Sequence, residues 1–320
     1  MEEIISELKK ALSALTEDTS IDEKGEPNSL PQGASYTEEE FISQTFLTKK
    51  ETDELRTILR NNKNIILQGP PGVGKTWTAK RIAYLMMGEV DDSRIESIQF
   101  HQSYSYDSFI EGYRPDETSF HLEKGVFVKF CEKVNDDKQK RDYFFIIDEI
   151  NRGNISKIMG ELLSLIETGY RGEEHALPLS YGQKPFFVPK NLYIIGMMNT
   201  ADRSLAIIDY ALRRRFAFIQ MTPKFDSDGF KAFNATNLKN TKYKKLVDTI
   251  KELNKTISED AVLGEGFEIG HSYFCLGKTV SDIELKTIVK YQIIPMIKEY
   301  WFDNPAKAET EAKKLLGSVE

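Results

Sequence analysis

Ile65-Ile-Leu-Gln-Gly-Pro-Pro-Gly-Val-Gly-Lys-Thr76 is the stretch that decides the fold. An apolar run enters a glycine-rich bend, and a helical pattern opens directly after it. Gly69–Thr76 fits G-x-x-x-x-G-K-[ST], with the strand before and the helix after that this motif requires. Gly69, Gly72 and Gly74 let the backbone take unusual dihedrals, so that its N–H groups can converge on phosphate oxygens. The helix opening near Lys75 adds its positive end. Lys75 is expected to reach the β- and γ-phosphates and Thr76 to hold Mg²⁺. The expected nucleotide-binding set is Gly69, Pro70, Pro71, Gly72, Val73, Gly74, Lys75, Thr76 and the adjoining Trp77.

Tyr143-Phe-Phe-Ile-Ile-Asp-Glu149 is an apolar strand ending in two acids. Its direction carries Asp148 to the carboxyl edge of the sheet, where open α/β folds bind ligands. There Asp148 is the second expected metal residue, taking a water of the Mg²⁺ shell. Glu149 is placed to orient or deprotonate an attacking water. Leu192–Met198 runs into Asn199, a polar side chain at the end of a further strand that could touch both γ-phosphate and water. Arg213-Arg214-Arg215 precede the last strand. Phosphoryl transfer calls for delocalised positive charge, which an arginine from a neighbouring subunit would supply.

Around these motifs, residues 36–222 alternate apolar runs with helical stretches. The runs Ile65–Leu67, Ile95–Phe100, Tyr143–Ile147, Leu192–Met197 and Phe216–Ile219 read as strands buried on both faces. Lys75–Met87 and Ser156–Thr168 read as helices, the second stopped by Gly169. Such alternation argues for a parallel sheet covered by helices. From residue 223 to 320, strand signals become scarce. Tyr243, Leu246, Val247, Ile250 and Leu253 repeat at helical spacing, and Ser281 with Glu284 forms a capping-box signature. This part reads as a small helical domain. Residues 1–35 read as an accessory segment: Ile4, Ile5, Leu8, Leu12 and Leu15 suit a short amphipathic helix, followed by a polar linker.

A chain of 320 residues with 29% charged and 40% hydrophobic residues is of the globular class. No apolar run approaches the length needed to span a bilayer. The start is acidic and lacks a secretion pattern, so the cytoplasm is the expected location. Two cysteines, Cys131 and Cys275, exclude a disulfide scaffold and read as buried small hydrophobes. Net charge is −7, and the first 40 residues hold eleven acids against three bases. The body is therefore nearly neutral and advertises no global field for nucleic acid.

In this order the motifs resemble those of an AAA+ domain: Walker A at Gly69–Thr76, Walker B at Phe144–Glu149, sensor 1 at Asn199, and an arginine-finger region at Arg213–Arg215. Four strings narrow the match: Gln99-Phe-His-Gln-Ser-Tyr-Ser-Tyr-Asp107, Phe109-Ile-Glu-Gly-Tyr-Arg-Pro115, Asp148-Glu-Ile-Asn-Arg152 and Met198-Asn-Thr-Ala-Asp-Arg-Ser-Leu205. With Ile269-Gly-His-Ser-Tyr-Phe274 they resemble the McrB family, motor subunits of modification-dependent restriction systems. The resemblance spans about residues 45–275. It implies an α/β P-loop AAA+ core, its parallel sheet flanked by helices, plus a small helical C-terminal lid. It implies GTP preferred to ATP, hexameric rings, and a McrC-like partner that stimulates hydrolysis and carries the nuclease. DNA would then be contacted through the complex.

On the same footing, Asn199–Asp202 matches the family's hydrolysis segment, making Glu149, Asn199, Asp202, Arg213 and Arg214 the implied catalytic set. Arg152 and Arg203 match positions near the nucleotide or the subunit interface. Phe109–Phe127 and Leu177–Val188 match insertions that project hairpins. Two departures stand out. Family members usually carry an N-terminal DNA-reading domain, for which 35–40 residues are too few. That suits a short form, a truncated chain, or a member whose specificity lies elsewhere. No arginine occupies the usual sensor-2 region, where Gly270-His-Ser-Tyr-Phe274 stands. His271 there either faces the nucleotide or packs at a helix start. The Asn-Lys-x-Asp guanine reader of small GTPases is absent.

Three other readings stay open. A MoxR-like ATPase chaperone shares the Walker motifs and hairpins. A nuclease reading rests on a loose pattern through Pro115, Asp116, Asp136 and Lys138. A nucleotide-gated scaffold would show no turnover.

Overall fold

The computed structural model describes residues 30–116, 119–202 and 210–320. The expected helix around Ile4–Leu15 and the residue Arg203 lie outside them. Five parallel strands form the central sheet: β1 (Asn64–Gly69), β2 (Ile95–Gln99), β5 (Tyr143–Asp148), β8 (Leu192–Asn199) and β9 (Ala217–Gln220). Two antiparallel hairpins stand apart from it, β3 (Glu111–Pro115) with β4 (Phe120–Lys124) and β6 (Leu177–Pro178) with β7 (Pro185–Phe186). The order across the sheet is β2-β5-β8-β1-β9. All four pairings are parallel, and the register sets Gly69 beside Asn199 and Gln99 beside Asp148. Three strands thus deliver the phosphate loop, the acidic pair and Asn199 to one edge.

The alternating direction of side chains explains how one sheet serves two cores. Ile66, Phe145, Ile147 and Ile194 face a core with Phe100, Phe109, Phe127 and Ile158. Ile65, Leu67, Phe144, Ile146 and Ile195 face another, closed by α2 (Lys49–Asn62) and α3 (Lys75–Met87). Ahead of α2 lies α1 (Glu38–Thr45), and both begin in complete capping boxes, on Thr37–Glu40 and Thr48–Glu51.

Two expectations need correction. The outer strands β2 and β9 are edge strands, and their residues are half-buried or exposed rather than buried on both faces. Ser156–Thr168 is not one helix. After α4 (Val126–Asp136) the chain makes α5 (Ile155–Met159), breaks at Gly160 with φ +48°, and resumes as α6 (Leu162–Leu165). Tyr106 causes the break. Its ring packs where a Gly160 side chain would stand, and its hydroxyl donates to Glu161 Oε1 at 2.6 Å. The same carboxylate accepts from the Ser180 N–H at 2.9 Å. Long-range hydrogen bonds here outweigh the local periodicity that Gly169 was expected to end.

Beyond α7 (Tyr210–Arg213) and β9, the chain builds a third core around α8 (Thr241–Ser258). Leu246, Ile250, Leu253 and Ile257 of α8 pack with residues of α9 (Asp282–Ile288), α10 (Ile294–Tyr300) and α11 (Pro305–Val319). Ser281 and Glu284 form the expected capping box. No strand occurs after β9 among the described residues. Phe46 belongs to this core, so the α1–α2 junction joins the sheet domain to the helical one.

The amino edge of the sheet is pinned by a buried guanidinium. Arg171 is 1% exposed. Its Nε donates to Ile166 O at 3.0 Å and its Nη2 to Asn64 Oδ1 at 2.5 Å, while Nη1 reaches the Leu192 carbonyl. Asn64 Nδ2 in turn donates to Ile166 O at 2.9 Å and Arg215 O at 3.0 Å. Burial draws the Arg171 pKa down to about 10, which leaves it charged at neutral pH. Arg171→Leu strands these acceptors in an apolar setting, at a cost of about 3 kcal/mol or more. A urea unfolding midpoint within error of the unmodified chain would contradict this.

Candidate active site

The loop between β1 and α3 turns through two left-handed glycines, Gly72 (φ +78°) and Gly74 (φ +79°). Gly74 is also the residue from which α3 starts, so the first helical amides face the bend. Lys75 is buried, and its ammonium donates to the carbonyls of Gly69 and Pro70, each at 2.9 Å. No carboxylate lies within ion-pair distance of it among the described residues. Burial lowers its pKa to about 8, with the fields of Glu149 and Asp148 opposing that shift. The next residue, Thr76, exposes its side chain at the start of the helix. The Trp77 indole N–H donates to Gln44 O at 2.9 Å, and the Arg81 guanidinium stacks 3.5 Å above its ring. Trp77 therefore anchors α1 to α3.

Across the edge, β5 ends at Asp148 and the chain turns sharply at Glu149, a non-glycine residue with φ +50°. The Glu149 N–H donates to Asp148 Oδ1 at 2.9 Å. Burial raises the Asp148 pKa, which the Glu149 N–H counters. Asp148 has no ion pair among the described residues, so its second oxygen is available. A carboxylate and an exposed Thr76 hydroxyl at the same sheet edge are the donor types that suit a hard divalent cation with oxygen ligands and retained waters.

Glu149 is held from two sides. Asn199 Nδ2 donates to its Oε1 at 2.7 Å. Arg152 Nε lies 3.2 Å from its Oε2, and the same guanidinium pairs with Asp202 at 2.9 Å. Glu149 Oε2 is buried yet accepts no well-aligned hydrogen bond. One acid thus carries an unsatisfied oxygen, beside the lysine and the free carboxylate. That arrangement can orient and deprotonate a water in front of a bound phosphate.

Arg213, Arg214 and Arg215 do not join this group. Arg214 and Arg215 both pair with Glu167, each at 3.0 Å. Asn64, at the opposite end of β1 from the loop, holds the Arg215 carbonyl. A six-residue strand separates the two edges by roughly 17 Å. Arg213 is exposed and forms no ion pair among the described residues. Within one chain these arginines cannot serve the loop. The loose nuclease pattern is not assembled either. Asp116 sits at the tip of the β3–β4 hairpin and Asp136 ends α4. Among the described residues, no group of three or more metal-ligating side chains occurs.

Sequence reasoning overlooked how the helical domain seats on the loop. The Gly270 N–H donates to Pro71 O at 3.1 Å, and the Ser272 N–H to Gly72 O at 2.9 Å. Both partners must be bare of side chains. A Cβ on Gly72 would meet the Tyr273 ring at 2.6 Å, and one on Gly270 would collide with the Gly72 backbone. The only signal was the Ile269–Phe274 string. The Arg171 network gave none.

Comparison with known proteins places these features. Residues 64–216 match the AAA domain (dynein-related subfamily), and residues 245–309 match the McrB alpha-helical lid domain. The chain belongs to the McrB-like AAA+ family. A third match, to IstB-like ATP binding protein, covers residues 6–89. The chain is 47% identical over 292 residues to the type IV methyl-directed restriction enzyme EcoKMcrB subunit of Escherichia coli (strain K12). That alignment takes in 88% of this chain and 63% of the relative. It is 26% identical over 202 residues to the type II restriction enzyme BsuMI component YdiS of Bacillus subtilis (strain 168), covering 51% of this chain and 57% of the relative. The chain thus spans about 60% of the length of both relatives. No described helix is long and apolar enough to cross a membrane.

The depressed Lys75 pKa gives the site a proton signature. Phosphates bound against the ammonium raise its pKa, so nucleotide binding near pH 9 takes up about half a proton or more from solvent. At pH 7 Lys75 is already charged and contributes little. Calorimetry in two buffers of different ionisation enthalpy reads the difference. Zero uptake at pH 9 with nucleotide bound would contradict it.

Proposed function

We propose that this chain is the nucleotide-hydrolysing motor of a DNA restriction system. It hydrolyses GTP in preference to ATP with Mg²⁺, works as a hexameric ring, and drives a separate McrC-like nuclease subunit in the cytoplasm. Residues 36–222 act as the nucleotide-binding domain, 223–320 as its lid, and 1–35 as an accessory segment. The observation that carries this reading is the gathering of Lys75, Asp148, Glu149 and Asn199 at one sheet edge, under a lid of the McrB type. The preference for GTP follows the resemblance of the Asp148–Arg152 and Met198–Leu205 strings.

Each residue has a part in this scheme. Bend amides and Lys75 hold the triphosphate. Thr76 and Asp148 would hold Mg²⁺, which neutralises charge on the β- and γ-phosphates. Glu149 accepts a proton from the attacking water, with Asn199 fixing one of its oxygens. Arg152 ties Glu149 to Asp202, so the segment after Asn199 senses the state of the base. Arg213 reaches the γ-phosphate of the next subunit, since it stands at the far edge of its own sheet and is unpaired among the described residues.

Turnover is best measured with GTP and with ATP, with and without the McrC-like subunit. Turnover with ATP equal to that with GTP would remove the guanine preference. Glu149→Gln keeps GTP affinity within about threefold and lowers turnover about 100-fold or more, since it deletes general-base catalysis. Equal loss of affinity would mean that Glu149 serves binding instead.

The ring makes a separate prediction. Arg213→Ala and Lys75→Ala are each inactive alone. Mixed in equal amounts they recover part of the turnover, because some interfaces pair an intact loop with an intact Arg213. A mixture as inactive as its components would exclude Arg213 as the group given to the neighbour.

A further inference from the structure

We propose that His271 is a nucleotide-binding residue contributed by the lid. Its Nε2–H donates to an oxygen at the α-phosphate and ribose end of the bound nucleotide. This rests on the nucleotide-binding reading above and adds a contact to it.

The tautomer follows from the packing. His271 is 4% exposed, with its ring against Phe46, Phe225 and Phe230 at centroid distances of 5.4, 6.4 and 6.2 Å. The Lys224 backbone N–H donates to Nδ1 at 3.0 Å. A nitrogen that accepts carries no proton, so the neutral ring must bear its proton on Nε2. Burial and the nearby Lys224 charge support that form by lowering the pKa to about 4.

Nε2 has no hydrogen-bond partner among the described residues. Nε2 is not among the buried side-chain atoms left without a partner, so this edge of the buried ring opens to solvent and can meet a ligand. Its surroundings show where a partner fits. It lies 4.0 Å from the point where a Cβ on Gly74 would stand, and no other atom outside the neighbouring residues comes that close. The space is therefore open on the face of the bend where helical amides begin.

The direction of the ligand follows from the two flanks of β1. Glu149 and Asn199 stand on the β8 side, where hydrolysis needs the γ-phosphate. His271 and Lys224 stand on the β9 side, next to Met221, whose N–H donates to Gln68 O at 2.7 Å. A triphosphate laid across the bend with its γ end at Glu149 brings its α-phosphate and ribose toward Nε2. Lys224 leads from β9 into the lid, so one imidazole both holds that connection and meets the ligand.

Two substitutions separate these duties. His271→Asn puts a carbonyl near the Nδ1 position and keeps an acceptor for Lys224, but deletes the outer donor. His271→Gln puts an amide N–H near the Nε2 position. Calorimetry with GTP and GDP on the intact chain is expected to show affinity for both falling about tenfold or more in His271→Asn. In His271→Gln it stays within about threefold of the unmodified chain. Unchanged affinity in His271→Asn overturns the contact. So does an equal loss in both variants, which would mean ring packing alone, or a loss confined to GTP, which would put the contact at the γ end. A measurement without substitution guards against misfolding. With ¹⁵N-labelled histidine, one of the four imidazoles should show a protonated Nε2 whose resonance moves on adding GDP; an unmoved signal with GDP bound overturns the contact. If the unmodified chain binds no nucleoside triphosphate, the parent reading fails, and this contact with it.

Discussion

A buried ammonium with no carboxylate at ion-pair distance among the described residues organises the carboxyl edge of the sheet. Lys75 is wrapped by carbonyls of its own loop and sits in the field of Asp148 and Glu149. Carbonyl dipoles only partly offset the desolvation of a cation, which is why its pKa falls. Polyanionic phosphate would complete the coordination that the protein leaves unfinished. The neighbouring acids are unfinished in the complementary sense. Among the described residues, Asp148 lacks an ion pair and Glu149 keeps a buried oxygen without a hydrogen bond. A cation and two acids held near one another without pairing to each other suit chemistry better than stability.

Around that edge, main-chain bonds bring the second domain directly against the loop. Two lid amides bond to loop carbonyls, and this approach is possible only because Gly72 and Gly270 have no Cβ. Backbone contact leaves little slack between the loop and Ser272 and Tyr273. His271 and Lys224 extend the link to the connection between domains. The ion pair of Lys224 with Glu51 carries it on to α2, at 2.5 Å.

The amino edge has the opposite character. Arg171 and Asn64 saturate one another and the surrounding carbonyls, giving a rigid polar node inside the fold. Arg214 and Arg215 are steadied on Glu167 beside it. Arg213 projects from this stiff base, at the end of the sheet away from its own loop. Under the proposed ring, a chain with loop and arginine at opposite edges would complete a site by meeting another copy of itself.

Much of this was legible in the sequence because it is local. Gly69–Thr76 specifies a bend that few other residues can adopt, and the apolar runs ending at Asp148 and Asn199 specify buried strands whose next residues must emerge at the edge. Capping boxes and the α8 periodicity are likewise set by residues three or four apart. Tertiary structure alone decided the rest. Tyr106 and Ser180 break the helix after Met159 through bonds to Glu161 that span 55 and 19 residues. The indole of Trp77 bonds to Gln44, 33 residues away. The buried Arg171 node, the lid amides on Pro71 and Gly72, and the His271 tautomer join segments up to about 200 residues apart. No spacing encodes such pairings, because they depend on which surfaces meet once the sheet has formed.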